Sequence, residues 1–252
     1  MTKLIRVLKI HPNYKSRQQE ISNCIEQFNV KGNSILEGSR NAIKSFNLAT
    51  ETINIKSFKK PNGFNGFVYK FIRKSKAKRS FQNAQHLLNL GILTPFPVAY
   101  IEEFSPLGLK NSYYVSNQID YDLDFRVLIH NPKYPDRENI LRQFTAFTFN
   151  LHENNINFLD HSPGNTLIIK KDKGKYDFYL IDLNRMVFEP MGIKKRMFNF
   201  RRLWLSKTMI KIIAQSYSQL YQSSYDEIHN LMLKYSKEFQ GKINRKKLKR
   251  AR

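Results

Sequence analysis

The sequence predicts an α+β protein built in two parts, with a β-rich part up to about residue 116 and a helical part after it. Strand-like segments of β-branched and aromatic residues fall in the first part, at 3–10, 52–58 and 113–116. Apolar residues at helical spacing dominate from about residue 136 onward. With 252 residues, 41% hydrophobic and 13% aromatic, the chain can build a real core as one large domain or two lobes sharing a cleft. We place the boundary between 1–116 and 117–252.

The charge of the chain limits the classes of molecule that are expected to bind it. The formal net charge is +23, which favours a polyanion such as nucleic acid, anionic lipid or a phosphorylated glycolipid.

The single cysteine, Cys24, excludes an internal disulfide and favours a reducing compartment. No apolar run reaches the roughly 18–20 residues of a membrane span. The basic N-terminus lacks the long apolar core of a signal peptide.

The first hundred residues contain several predicted elements. A strand at Lys3–Ile10 precedes a helix at Asn13–Phe28, on whose apolar side Cys24 is expected to be a core residue. Gly38–Asn41 separates two strand-like segments. A glycine there would let backbone N–H groups approach phosphate oxygens, although a simple hairpin turn explains it equally well.

A second helix is predicted at Lys76–Leu90, with an apolar face of Ala77, Phe81, Ala84 and Leu88. Gly91 ends it, and the two prolines that follow prevent its continuation. The segment before it is dense in lysine and arginine, which indicates a neighbouring anionic surface or substrate. The alternative for part of that segment is a solvated loop around Pro61–Gly66.

The C-terminal part is predicted to be helical around one hairpin. A helix spans Asp136–Asn154, and strands at Thr166–Ile169 and Tyr176–Ile181 form the hairpin. Ser224 and Glu227 match a capping box that opens the last helix. The terminal stretch GKINRKKLKRAR is expected to be a frayed tail or a contact with anionic lipid, where each basic residue contributes about 1 kcal/mol.

Three polar residues of this part have the spacing of a phosphoryl-transfer site. Asp160 is followed five positions later by Asn165, and Asp182 ends an apolar strand. One carboxylate can orient a hydroxyl, while the amide and the second carboxylate supply oxygen ligands for Mg²⁺. Asp160 and Asn165 could instead be turn residues beside Pro163 and Gly164. Asp182 is harder to explain that way, because a carboxylate at the end of a buried strand needs a partner or a metal.

Several sequence blocks appear in the order found in one family of kinases. The blocks DHSPGN (160–165) and LIDLNRM (180–186) follow GSRNAIKSF (38–46), INIKSFK (53–59) and SKAKRSFQNAQHLLNLGILTPFPVAY (75–100). Together they resemble the lipopolysaccharide kinase (Kdo/WaaP) family over roughly residues 35–205. The resemblance implies a protein-kinase-like bilobal fold, with ATP and Mg²⁺ as cofactors.

The resemblance also implies roles for single residues. Asp160 would be the catalytic residue that accepts or orients the hydroxyl proton, and Asn165 and Asp182 would hold the metal. Lys56, with Lys59 as the second choice, would neutralise phosphate charge. The turn over the phosphates would consist of Gly38, Ser39, Arg40 and Asn41.

One feature departs from the general kinase pattern. The helix after the strand lysine normally supplies a glutamate that pairs with that lysine, but no Asp or Glu occurs between Thr52 and Ile101. Gln82 or Ser80 could give Lys56 a neutral hydrogen bond, or an acid could come from elsewhere in the chain.

The expected acceptor is a sugar on a lipid. The segment after Asp182 is short and lacks the A-P-E motif of protein kinases, which favours a non-protein acceptor. The resemblance implies Kdo or heptose on lipid A, at the cytoplasmic face of the inner membrane of a Gram-negative bacterium, with peripheral contact to anionic lipid. Nucleic acid is not expected as a partner. Two alternatives stay open: an atypical protein kinase of the RIO type acting near RNA, and an inactive pseudokinase that binds anionic lipid or nucleic acid.

Overall fold

The chain forms a β-rich N-terminal unit and a helical C-terminal unit, as the sequence predicts. The computed structural model describes residues 4–38 and 41–251. Its compact units are Met1–Ile119 and Asp120–Arg252. Each unit has its own hydrophobic core.

The N-terminal unit is organised around one antiparallel sheet of six strands in the order β1-β5-β6-β4-β3-β2. Neighbouring strands are hydrogen-bonded in register, so that Lys56 pairs with Ile43 on one side and with Tyr114 on the other. The strands are β1 (Ile5–Ile10), β2 (Asn33–Glu37), β3 (Asn41–Asn47), β4 (Thr52–Phe58), β5 (Pro97–Ser105) and β6 (Gly108–Asn117).

The predicted helix at Asn13–Phe28 is observed as two pieces. A 3₁₀ segment, Pro12–Arg17, runs into helix α1 (Gln18–Glu26). The Tyr14 hydroxyl of this segment donates to Glu51 Oε2 (2.7 Å), and Arg17 pairs with Glu51 Oε1 (2.8 Å). These contacts join the start of the chain to the β3–β4 connection.

The two faces of the sheet carry different cores. Ile53 and Ile55 face the core that includes α1, whereas Phe58 packs with α3 (Lys76–Asn89) on the other face. Because side chains alternate along a strand, Lys56 lies on the α3 face, and its Nζ is 5.4 Å from the Phe58 ring centroid. Glu102 of β5, which is buried, has the same parity as Tyr100 of the α3 core. It is therefore an acid on the face that carries Lys56.

Cys24 packs against the α1 core, in agreement with its predicted structural role. Burial raises the pKa of its thiol above the ordinary value, which keeps the sulfur protonated and unreactive at neutral pH.

The alternative of a solvated loop around Pro61–Gly66 is wrong for most of that segment. Helix α2 spans Gly63–Phe71. The Asn62 side chain caps it by accepting from Asn65 N (2.9 Å). Gly66 lets the helix approach β6 closely, since a Cβ at that position would lie 3.0 Å from Leu109 O. Two glycines in nine residues suggest a loop by propensity, but here one of them serves packing.

The C-terminal unit packs its helices around one core. Helix α5 contacts α7, and α7 contacts α8, with Phe144, Ile213 and Tyr217 fully buried between them. The helices are α4 (Phe125–His130), α5 (Arg137–Glu153), α6 (Ile193–Asn199), α7 (Lys207–Tyr221) and α8 (Tyr225–Ala251).

Two small sheets in this unit carry the loops of interest. One has the order β10-β9-β7 and contains the predicted hairpin, and the other pairs β11 with β8. The strands are β7 (Leu123–Asp124), β8 (Ile156–Phe158), β9 (Thr166–Lys170), β10 (Tyr176–Leu180) and β11 (Met186–Phe188).

The chain end differs from the predicted frayed tail. Helix α8 continues through Ala251 and therefore includes most of the basic terminal stretch. At its start, Glu227 accepts a hydrogen bond from Ser223 Oγ (3.2 Å), one residue before the predicted Ser224. Among the residues that the structure describes, no helix combines the length and apolarity needed to cross a membrane.

Candidate active site

The loop that contains Asp160 is held between two paired strands. It follows β8, whose Phe158 pairs with Met186 of β11. Leu159 N donates to Arg185 O (3.0 Å), which extends this pairing by one step. Residues 156–159 and residues 185–188 therefore run side by side, so the segment after Asp182 returns beside the strand that leads into Asp160.

Asn165 spans the same loop. Its Nδ2 donates to the backbone oxygen of Asp160 (2.8 Å). Because the nitrogen of the amide makes this bond, the oxygen Oδ1 is the atom of Asn165 that could serve a ligand. The spacing of five residues between Asp160 and Asn165 therefore closes one loop with an amide bridge.

Asp182 lies next to Asn165 across the hairpin. Leu180 pairs with Thr166, and Ile181 N donates to Asn165 O (3.0 Å), so Asp182 directly follows the residue opposite Asn165. Its backbone is left-handed, with φ 58°, a conformation that non-glycine residues seldom adopt and that is common at functional sites. Asn184 Nδ2 donates to Asp182 Oδ1 (2.6 Å).

The carboxylate of Asp160 is flanked by arginines. Arg202 Nη2 lies 2.7 Å from its Oδ1, and Arg185 Nη1 lies 3.7 Å from its Oδ2. The Arg202 pair is the shorter and less exposed of the two (30% against 58% for the arginine side chain), so it is the contact that holds the direction of the carboxylate. A third guanidinium, that of Arg126, rests against the backbone of Gly164 in the same loop.

A buried polar cluster contacts the loop on its inner side and holds it in place. His161, the residue after Asp160, is fully buried, and its Nδ1 lies 2.9 Å from Asn199 Oδ1. The Asn199 amide donates to Phe158 O (3.0 Å) and to Asn157 Oδ1 (3.1 Å). Because Asn199 ends α6, this cluster attaches the loop to the helical core.

His152 extends the support toward α7. Its Nδ1 lies 2.8 Å from the Tyr217 hydroxyl. Burial lowers the pKa of His152 to about 3 and that of His161 to about 4. Both imidazoles are therefore neutral at physiological pH and serve as structural groups.

The oxygens of Asn165 and Asp182 suit a hard divalent cation. Mg²⁺ is commonly held by one or two protein oxygens, with waters and substrate phosphates completing the octahedron. No cluster of three or more His, Cys, Asp or Glu that could hold a metal occurs in the described part of the chain. The amide oxygen of Asn165 and the carboxylate of Asp182 are the donors in this loop that could hold a cation carried by nucleotide phosphates.

The remaining predicted residues lie in the N-terminal unit. Gly38 N donates to Asn41 O (3.1 Å), which closes the turn between β2 and β3. Asn41 pairs with Phe58, two residues beyond Lys56 on β4. The structure thus brings the glycine turn and Lys56 to the same end of one sheet. Ser39 and Arg40 lie outside the described residues.

Sequence reasoning missed several members of the site. Arg185 lies within the LIDLNRM block, and Arg202 belongs to a group of basic residues at 194–202 whose sequence gives no signal beyond its charge. Their contacts with Asp160 depend on the β8–β11 pairing and on the 3₁₀ segment Phe200–Leu203. Asn199 gives no sequence signal beyond its position at the end of an amphipathic segment.

Comparisons with known proteins bear on the fold and the family of the chain. The structure is similar to the solved structure described as "WaaP in complex with acyl carrier protein", with a TM-score of 0.67, 14% sequence identity, and coverage of 93% of this chain and 98% of that chain. At this identity the likeness shows the fold, which confirms the predicted protein-kinase-like α+β class.

No curated protein matches the chain by sequence. The family model described as "Lipopolysaccharide kinase (Kdo/WaaP) family" matches residues 65–225, more than half of the chain. This membership makes the protein a phosphotransferase of the kinase type and implies ATP as the phosphoryl donor. The chain belongs to the lipopolysaccharide kinase (Kdo/WaaP) family.

Proposed function

We propose that the protein transfers the γ-phosphoryl group of ATP to a hydroxyl of an inner-core lipopolysaccharide sugar, Kdo or heptose on lipid A. The observation that carries the proposal is the meeting of Asp160, Asn165 and Asp182 at adjoining strand ends. One amide bridge and one hairpin pairing connect the three residues. Phosphoryl transfer needs little beyond orientation of the nucleophile and electrostatic stabilisation of the phosphates, and this set supplies both.

Each residue has a role in this proposal. Asp160 orients the acceptor hydroxyl and receives its proton, while its ion pair with Arg202 (2.7 Å) keeps the carboxylate in one direction. Asn165 and Asp182 would hold Mg²⁺, which when bound neutralises charge on the phosphates. We further propose that Lys56 neutralises charge on the phosphates and that the residues from Gly38 to Asn41 contact them.

The surroundings of the loop favour an anionic, non-protein acceptor. Only residues 183–192 separate Asp182 from α6, which leaves no platform for a peptide. The guanidinium groups of Arg126, Arg185 and Arg202 lie along the loop or on its carboxylate. Guanidinium groups recognise phosphate and carboxylate by paired hydrogen bonds. Kdo offers a carboxylate and lipid A offers phosphates.

We place the reaction at the cytoplasmic face of the inner membrane of a Gram-negative bacterium. Support comes from the net charge of +23, since the surface potential of anionic lipid attracts a basic protein. The acceptor on lipid A would be presented at that surface. The contact is proposed to be peripheral, without a spanning segment.

The test is transfer of phosphate to lipid. Purified protein is incubated with Mg·ATP and a panel of lipid A acceptors bearing Kdo or heptose, and extracted lipid is analysed by mass spectrometry. We expect one added phosphate on a sugar-bearing acceptor, which Asp160→Asn abolishes. Asp177→Asn is the matched control, because Asp177 is an aspartate of the same unit that pairs with Lys171 at the surface (3.3 Å).

The same experiment separates the alternatives. Added phosphate that mass spectrometry finds on protein and not on lipid would favour a RIO-type protein kinase. Nucleotide binding without transfer to any acceptor, and without hydrolysis, would favour a pseudokinase. Either result would overturn the proposed function.

A further inference from the structure

Helix α2 and the β5–β6 turn expose an unusual amount of apolar surface. On α2, Phe64, Phe67 and Phe71 recur at i, i+3 and i+7 and thus share one side of the helix. We call the surface formed by α2 and the turn the α2 patch; its exposed apolar side chains are Phe64 (77% exposed), Phe67 (48%), Phe71 (59%), Ile72 (74%) and Leu107 (78%). A contiguous apolar surface of this kind marks an interaction site.

The patch is firmly supported from behind. Gly66 is on the inner side of α2 and lies in direct contact with Gly108 of β6. Lys70 Nζ donates to Pro106 O (2.8 Å) and to Ser105 O (3.1 Å), which ties the last turn of the helix to the β5–β6 turn. The Phe67 and Phe71 rings pack on each other with centroids 4.7 Å apart. The phenylalanines are therefore presented outward by a fixed scaffold.

The residues just before and just after α2 in the sequence include several basic side chains. Lys59, Lys60, Arg73 and Lys74 are all exposed, and they flank α2 on both sides in the sequence. No Asp or Glu occurs from Thr52 to Ile101. An apolar stripe whose flanking sequence carries cations and no acid is complementary to a surface with hydrocarbon at depth and negative charge above it.

We infer that the α2 patch is a docking surface for an anionic phospholipid membrane, with Phe64, Phe67, Phe71 and Leu107 entering the headgroup–acyl boundary. The patch consists of one side of a helix and the tip of a strand-to-strand turn, and the apolar side chains of both are exposed. Interfacial helices combine such an apolar face with Lys and Arg at its border. The long Lys stems can lie along the hydrocarbon while their charges reach lipid phosphates.

This inference deepens the membrane contact of the proposed function and assigns it to named residues. It is measured without nucleotide or acceptor, so its outcome is separate from that of the kinase assay. The basic end of α8 provides a competing surface with charge but with Leu248 as its one large exposed apolar residue among those described. That surface predicts binding by charge alone.

The first test is sedimentation of the full chain with vesicles of phosphatidylcholine containing about one-third phosphatidylglycerol. We expect binding that Phe64→Ser/Phe67→Ser/Phe71→Ser weakens at least about tenfold. The control Val30→Ser/Ile35→Ser/Leu220→Ser removes three exposed apolar side chains elsewhere and is expected to bind like the wild type. Circular dichroism and melting temperatures confirm that both variants are folded.

The second test measures insertion directly. In a Trp204→Phe background, Phe64→Trp is expected to shift its emission to the blue on vesicle addition and to be quenched by brominated acyl chains. Val30→Trp serves as the control. Val30 precedes β2, and the first residue of β2 pairs with Ser45. This end of the sheet lies opposite the end that carries the β5–β6 turn. Val30→Trp is expected to show neither effect.

Three results would overturn the inference: no vesicle binding by the wild type, full binding by the triple serine variant, or unquenched Trp at position 64. Loss of binding only when the basic residues of α8 are replaced would also overturn it. Phosphorylation of a detergent-dispersed acceptor is expected to be retained by the triple serine variant, which distinguishes lost docking from lost catalysis.

Discussion

Acidification should destabilise the protein through the two buried histidines beneath the catalytic loop. His152 and His161 have pKa values lowered by burial to about 3 and about 4. In the unfolded chain the pKa of histidine is about 6.5. Between these values the unfolded state binds protons that the folded state does not, so stability is present above pH 6.5 and is lost as the pH falls toward the folded values.

The magnitude follows from the same pKa values. At pH 5, almost every unfolded histidine is protonated, while both folded imidazoles are still neutral. Linkage then gives a loss of about 2 kcal/mol for each histidine relative to pH 8, or about 4 kcal/mol for the pair. This is a large fraction of the roughly 5–15 kcal/mol that stabilises a typical domain.

The assay is urea unfolding at several pH values from 8 to 5, comparing wild type with His161→Gln. Glutamine keeps a polar group near Asn199 but does not titrate. We expect the free energy of unfolding of the variant to fall by about 2 kcal/mol less than that of the wild type over this range. His130→Asn, which replaces an exposed histidine, is expected to follow the wild type. Parallel curves for wild type and His161→Gln would refute the reasoning.

Three further predictions concern other contacts. Arg196→Met should cost about 1–3 kcal/mol of unfolding free energy, because it leaves Met191 O without the buried donor that it contacts at 2.6 Å, whereas Glu153, the partner at 2.5 Å, is half-exposed and can be solvated; an unchanged free energy of unfolding in urea would contradict this. Tyr14→Phe should cost about 1.5–3 kcal/mol, the value of a hydrogen bond to a charged group, and an unchanged melting temperature would count against the Glu51 contact. Arg202→Gln should lower kcat about tenfold to a hundredfold through loss of one charged hydrogen bond to Asp160; equal rates for variant and wild type in the phosphate-transfer assay would remove Arg202 from the site.

The sequence predicted those parts of the structure that depend on local pattern. The helices near 76–90 and 136–154 have clear apolar spacing, and their observed bounds, Lys76–Asn89 and Arg137–Glu153, differ from the predictions by only one residue at the changed ends. The hairpin that carries Asp182 is present as predicted. In each case a few neighbouring residues determine the element.

Helix α2 shows where local pattern is insufficient. Gly63 and Gly66 lower its helix propensity by about 1 kcal/mol each, so the segment is typical of a loop when it is read alone. Gly66 is useful only because Gly108, far along the chain, lies against it. The helical spacing of the three phenylalanines was the sequence signal for this helix. Their exposure in the structure identifies the side of α2 on which they lie.

The oxygen-bearing residues of the candidate site were predictable from the sequence, but the arginines that pair with Asp160 were not. Asp160, Asn165 and Asp182 are recognisable from spacing, because a loop and a hairpin bring them together locally. The partners of Asp160 come from residues 25 and 42 positions later, Arg185 and Arg202. Their positions depend on the β8–β11 pairing and on the turn after α6, which are tertiary features. Ser39 and Arg40 lie outside the described residues. Their predicted contact with phosphate therefore stays a prediction.

The most direct test of the central claim is the rate of phosphate transfer to Kdo-bearing lipid A by Asp182→Asn, measured across a Mg²⁺ titration beside wild type and the control Asp177→Asn. If Asn165 and Asp182 share one divalent cation, the variant loses at least about a thousandfold in kcat, and higher Mg²⁺ restores little of it. The control keeps the wild-type rate and Mg²⁺ dependence. Near-normal turnover of Asp182→Asn at ordinary Mg²⁺ would contradict the account.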